Sequence, residues 1–328
     1  MVGIAAVLFV HSGPNTSLRE AQDALKRGDT VTAIRLFEAF RKQPEVAEKA
    51  NEGLATAYLK AKSYDQCISV CRQSAARWPG NPVFPHMYGL ALFQAGELPL
   101  AEEKLKAAHS LAPGDSDIAY DFGLVLMAQQ KYDLAAKQFE SLIRKQDSAL
   151  LRVLLGRAYL NSNRSVQAVQ QFKAALRLDS KLPLAHYHLG FALESLGRLN
   201  EAIEELELES ARQPQNPEVL YRLGHDLLEA GRTREAIDKL EKAIAGGGGA
   251  AYYDLGKALF MENRIAQALT ALEHSIEINP HSSSAYFQLS RVYQKLGRKE
   301  AAAAALQHFY DLKKTETQSG GMATSRIP

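Results

Sequence analysis

The segment HLGFALESLGRLNEAIEEL, from His188 to Leu206, returns as RLGHDLLEAGRTREAIDKL from Arg222 to Leu240, 34 residues later. Small and aliphatic positions are kept and charged ones drift. Nothing constrains the fold more, because self-similarity at such a period marks a stack of identical supersecondary units rather than a globule. Nine units phase at 14–47, 48–81, 82–115, 116–148, 149–182, 183–216, 217–248, 249–282 and 283–316. Six of the eight steps between unit starts are 34 residues, and the others are 33 and 32.

Each unit carries two apolar patterns of helical period with a break between them. In 183–216, Leu189, Gly190 and Leu193 share one face, and Ala202, Ile203 and Leu206 share the next. The break is Gly28, Gly96, Gly197, Gly231 or Gly297 in five units and Asn163 or Asn263 in two. These are the residue types that end a helix in the left-handed region, so the unit reads as a helix–turn–helix hairpin. Lys62 and Gln130 fill the slot in the other two units, where a strained or differently built turn is expected.

A second pattern explains the small residues. The first helix holds Ala21, Ala55, Gly89, Gly123, Gly156, Gly190, Gly224, Gly256 or Ser290 in one slot. Twelve positions later the second helix holds Ala33, Cys67, Ala101, Ala135, Ala168, Ala202, Ala236, Ala268 or Ala302. Two helices approach closely only where both are notched. Phe37, Leu105, Phe139, Phe172, Leu206, Leu240, Leu272 and Leu306 are spaced to plug the gap to the next unit, and Pro79, Pro113, Pro214 and Pro280 close second helices.

This plan resembles the tetratricopeptide repeat over residues 14–316, with local departures. The 116–148 unit lacks the closing proline, and 217–248 ends in Gly246-Gly247-Gly248-Gly249. The resemblance implies an all-α, right-handed α-solenoid whose first helices line a groove that holds a peptide or a protein segment, with no catalytic centre. Slots five, nine and twelve of those helices then supply the candidate partner-binding residues. They are Leu90, Phe93, Tyr120, Leu124, Met127 and Arg157, followed by Tyr187, Phe191, Tyr221, His225, Tyr253, Lys257, Phe287 and Arg291. The earlier group is mainly apolar. From Arg157 on, aromatic residues alternate with cations, Arg222 and Lys295 among them, which suits a ligand with a hydrophobic part and an acidic part. Glu194, Glu229 and Asp254 dilute that charge. The carboxylate-clamp pattern of the family is not expected, because Leu18, Gln22, Glu52 and Gly53 stand where it needs Lys and Asn.

The chain is therefore read as a non-catalytic interaction scaffold or adaptor. The alternatives are a substrate-selecting or assembly subunit of a larger enzyme or envelope complex and, further off, an RNA-binding array. A net charge of +2 over 328 residues offers no field for gathering nucleic acid. No cofactor or metal is expected: His186 and His188 are two apart on a helix and diverge, and there is no HExxH. Gly256-Lys257 lies within a helical repeat and is no phosphate loop, and no nucleophile elbow occurs. Cys67 and Cys71, the only cysteines, sit four apart in packing slots. The glycine run is either a hinge between units or a tolerated loop. The lone Trp78 is either a plug over a junction or a contact residue.

The ends are read separately. Residues 1–13 contain an apolar run, Val2 to Val10, too short to span a bilayer. It fits the core of a signal peptide, and hence export, or an ordinary buried helix of a cytoplasmic protein; no Lys or Arg precedes it. Residues 317–328 read as a disordered tail. The last helix, with Phe309, Tyr310 and Leu312, either caps itself or docks on another copy of the chain.

Overall fold

The computed structural model describes residues 14–323, with side chains over 18–315. The apolar N-terminal segment and its candidate signal peptide lie outside the described residues. Within them the chain is all helix, α1 to α18, with no strand. Within each of the two compact units described next, helices pair as antiparallel hairpins, and each packs on its neighbours in sequence or on the next but one.

The contact network divides into two compact units, up to Asn163 and from Arg164. The sequence period alone predicts one continuous array. The first unit comprises α1 (Pro14–Lys26), α2 (Thr30–Phe40), α3 (Ala47–Lys60), α4 (Tyr64–Arg77), α5 (Val83–Gln94), α6 (Leu98–Leu111), α7 (Ser116–Ala128), α8 (Tyr132–Lys145) and α9 (Ala149–Asn161). The second comprises α10 (Ser165–Leu178), α11 (Ala185–Glu194), α12 (Leu199–Arg212), α13 (Pro217–Glu229), α14 (Thr233–Ala245), α15 (Ala251–Met261), α16 (Ile265–Ile278), α17 (Ser283–Lys295) and α18 (Lys299–Ala323). The last helix continues past Glu316 into the segment expected to be disordered, since extending a formed helix avoids the cost of a new nucleus.

Four first helices start on a side-chain cap. Asp115, Ser148, Asn216 and Ser282 accept hydrogen bonds from backbone amides of the first turns of α7, α9, α13 and α17. The hairpin turns share one geometry. Gly96 stands at φ +85°, and Glu97 N–H reaches back to the Leu92 carbonyl at 2.9 Å. Lys62 at φ +57° and Gln130 at φ +59° build the same turn, with Ser63 N–H on the Tyr58 carbonyl and Lys131 N–H on the Leu126 carbonyl, both at 2.9 Å. These two turns are strained, as expected, and not differently built. The hydrogen-bonded frame fixes the conformation whatever residue fills it.

The notch is real, and large residues of the second helices lie in it or against the following unit. A Cβ added at Gly89 would meet Leu105 Cγ at 2.7 Å, one at Gly123 would meet Phe139 Cε1 at 2.6 Å, and one at Gly224 would meet Leu240 Cγ at 2.7 Å. Leu105, Phe139 and Leu240 fill the notches of their own hairpins, while Phe37 lies on Gly53 and Phe172 stacks on His188 of the following units. Ala55 carries a Cβ, and the residue sixteen positions on is the small Cys71 instead of Leu or Phe. Both cysteines are buried.

The glycine run makes a close-packed turn. Gly247 takes φ +91°, and Gly248 N–H bonds the Ala243 carbonyl at 2.8 Å, as in the hairpin turns. A Cβ on Gly248 would stand 2.8 Å from that carbonyl oxygen, and one on Gly249 would stand 3.0 Å from Ile278 Cδ1. Leu184 also lies at positive φ, its amide held by buried Glu209 at 3.1 Å. Trp78 stacks on buried Phe84 with ring centroids 5.8 Å apart, and the Arg77 guanidinium lies 4.6 Å over the indole.

Candidate functional site

First helices α1, α3, α5 and α7 lie side by side in the first unit, and α13, α15 and α17 do so in the second with α11 bonded to α13, so slots five, nine and twelve form a face. In the first unit that face carries Leu90 and Phe93 of α5 and Tyr120, Leu124 and Met127 of α7, all half-buried, and exposed Arg157 of α9. Half-burial follows from the helix period: slots eight and eleven turn into the hairpin and leave five, nine and twelve at its rim. His86, fifth in its repeat, is buried and ties α5 to α7 through Nε2, 2.7 Å from Asp121 Oδ2.

In the second unit the predicted residues are drawn into bonds between first helices. Tyr187 on α11 is only 8% exposed and donates its hydroxyl to Glu218 of α13 at 2.9 Å. Burial, then this carboxylate, pushes the phenol up to about 12. Arg222 of α13 donates to Glu194 of α11 at 3.0 Å and lies 4.3 Å over the Phe191 ring. His225 Nδ1 is 2.9 Å from Asp254 Oδ2 of α15, and this bond raises the imidazole's basicity. Lys257 of α15 donates to Glu229 of α13 at 2.7 Å, which holds the ammonium up and the carboxyl down. Arg291 of α17 covers the Phe260 ring at 4.7 Å. Phe191, Tyr221 and Tyr253 stay half-buried, and Phe287 is 41% exposed against Phe309 of α18. Tyr310 of α18 is exposed.

This differs from the sequence-based expectation in two ways. Tyr187 is a packing residue more than a surface one. The cations Arg222, His225 and Lys257 each face a carboxylate, so this face is charge-paired and not basic. Glu194, Glu229 and Asp254, which by sequence only dilute the positive charge, are the specific partners of those cations.

The residue that sequence reasoning missed is Asp226. It is fully buried on α13, and neither carboxylate oxygen has a hydrogen-bond partner. Burial, and then the charge of Glu194, pushes its carboxyl up to about 7. A signal was available. The same slot, tenth in the repeat, holds Ala57, Ala91, Val125, Ala158, Ala192, Ala258 and Val292 in seven of the other repeats. A cavity of about 650 Å³ lies elsewhere in this unit, on the α12–α14 side, lined by Glu207, Leu223 and Lys239 among others. It touches none of the predicted residues.

Antiparallel helix pairs of nearly constant length, notched by Gly or Ala and stacked in sequence order, define an α-solenoid of helical hairpins. A family model described as tetratricopeptide repeat matches residues 18–82, 120–183, 153–217 and 221–283, and another of the same description matches 259–308. The chain belongs to the tetratricopeptide repeat family and is a repeat scaffold. It is 28% identical over 108 residues to the peroxisomal targeting signal receptor of Eremothecium gossypii, covering 33% of this chain and 19% of that protein. It is 28% identical over 145 residues to the BBSome complex member BBS4 of Mus musculus, covering 44% of this chain and 28% of that one. The chain thus matches less than a third of either relative's length. The crystal structure of an APC/C hetero-tetramer, Cut9-Hcn1, aligns with TM-score 0.57 and 14% identity over 87% of this chain and 57% of that one, a likeness of fold. Among the described residues no helix is long and apolar enough to cross a membrane.

Proposed function

We propose that the chain acts without catalysis, by docking a segment of another protein on the faces of its first helices. The observation that carries this is the set of half-exposed apolar side chains at slots nine and twelve of α5 and five, nine and twelve of α7, on helices pinned by buried notches and, for α7, by the Asp115 cap. Leu90, Phe93, Tyr120, Leu124 and Met127 offer rigid, partly desolvated area, which is what anchors a partner segment. In the second unit Phe191, Tyr221, Tyr253 and Phe287 continue the same slots. The paired cations there select less by bulk charge than the sequence alone suggested. The names of the relatives, a targeting-signal receptor and a complex member, support a protein partner. The near-neutral net charge of +2 speaks against nucleic acid.

The test is affinity capture from the native host with the full chain and with a Phe93→Ala/Tyr120→Ala/Met127→Ala variant. Far-ultraviolet circular dichroism confirms that the variant keeps its helicity. A partner retained by the full chain should be lost, or its binding weakened by about 1–3 kcal/mol in total. Equal capture by both removes the assignment of this face.

A further inference from the structure

Among the described residues, Asp226 is the carboxylate whose two oxygens are both buried without a hydrogen-bond partner. A carboxylate is buried only when something compensates it, and no hydrogen-bond donor of the chain does so here. The nearest remedy on its own helix is Arg222, one turn earlier, but that guanidinium is engaged by Glu194 Oε2 and by the Phe191 ring. Its Nε, also buried, finds no acceptor either. The two groups sit one turn apart without satisfying each other.

What does surround Asp226 is a set of donor atoms. One ligand atom each from Glu194, His225 and Asp226 lies within 4.8 Å of the others. Glu194 gives Oε2 to Arg222 and keeps Oε1. His225 bonds Asp254 through Nδ1, and Asp254 is itself buried, 4% exposed. That bond fixes the tautomer with the proton on Nδ1 and the lone pair on Nε2, the arrangement by which a carboxylate orients a metal-binding imidazole.

We propose that Glu194, His225 and Asp226 bind one divalent transition-metal ion, with Asp254 as the positioning residue for His225. One imidazole with two carboxylates suits Zn²⁺, Co²⁺ or Ni²⁺ better than Ca²⁺ or Mg²⁺, which take larger all-oxygen shells. Ligands from α11 and α13 make the ion a staple between two adjacent first helices. No motif announces it, because the donors are divided between two repeats. The site does not rest on the docking surface proposed above.

The experiment is calorimetric titration of the full chain, stripped with chelator, with Zn²⁺ and Co²⁺, alongside thermal unfolding. One ion should bind saturably and raise the unfolding temperature. Asp226→Ala should abolish that binding and, without metal, unfold at a higher temperature than the parent, since alanine is the ordinary occupant of the slot. This second reading shows that the variant is folded. Asp254→Asn should retain the ligands but weaken binding by about 10–100-fold. The proposal is overturned if the full chain shows no saturable binding or if Asp226→Ala binds as tightly as the parent. It is equally overturned if the Co²⁺ complex shows a thiolate charge-transfer band, which would place the ion on Cys67 and Cys71.

Discussion

At the scale of single residues, the fold depends on volume being traded between two slots sixteen positions apart. Gly89, Gly123, Gly190, Gly224 and Gly256 face Leu or Phe within their hairpins, whereas Ala55 is matched by the smaller Cys71. One added methyl has nowhere to go: Gly224→Ala should cost about 1–3 kcal/mol through overpacking against Leu240. Tyr187 gives a pH dependence. In the unfolded chain its phenol ionises near 10, and in the fold it holds its proton to about 12. The neutral form is therefore favoured by folding. Its contribution is fully present below pH 10 and is lost as pH rises from about 10 to 12. Alkaline denaturation of Tyr187→Phe, which keeps the ring and has no proton to lose, should show a smaller loss of stability over that window than the parent. An unchanged curve would mean that another group governs the alkaline limb.

At the scale of elements, the turns show how far a repeat can enforce geometry on an unsuitable residue. Lys62 and Gln130 carry the left-handed cost of ~1–2 kcal/mol that glycine escapes. Lys62→Gly and Gln130→Gly should each stabilise the chain by about 0.5–1 kcal/mol, after glycine's greater freedom when unfolded is subtracted. Chemical denaturation of each single variant checks this. The hairpin, its notches and its stops were legible in the sequence because each is a local demand on backbone or volume, repeated often enough to stand out. The seat of Leu105, Leu206 or Leu240 was not, since the spacing alone does not say whether a side chain turns back into its own hairpin or on to the next. Nor were the pairs Arg222–Glu194 and Lys257–Glu229, each formed across 28 residues by side chains whose reach decides the partner. Asp226 was legible as an acid in an alanine slot, but only once the slots had been compared column by column.

At the scale of the whole molecule, the described helices of each unit pack on near neighbours, so the stability of each unit is approximately a sum of hairpin and interface contributions. Such a chain need not unfold in one step. The fold leaves one built-in reporter of this, because Trp78 is the sole indole and sits between α4 and α5 against Phe84. Its emission follows that neighbourhood alone, while circular dichroism follows every helix at once. Gly224→Ala, made on α13, should shift the dichroism melt and leave the fluorescence midpoint where it was. Two curves displaced together would mean that the chain cooperates over its full length. A lone chromophore lodged at one joint thus turns an ordinary fluorimeter into a position-resolved thermometer for that joint.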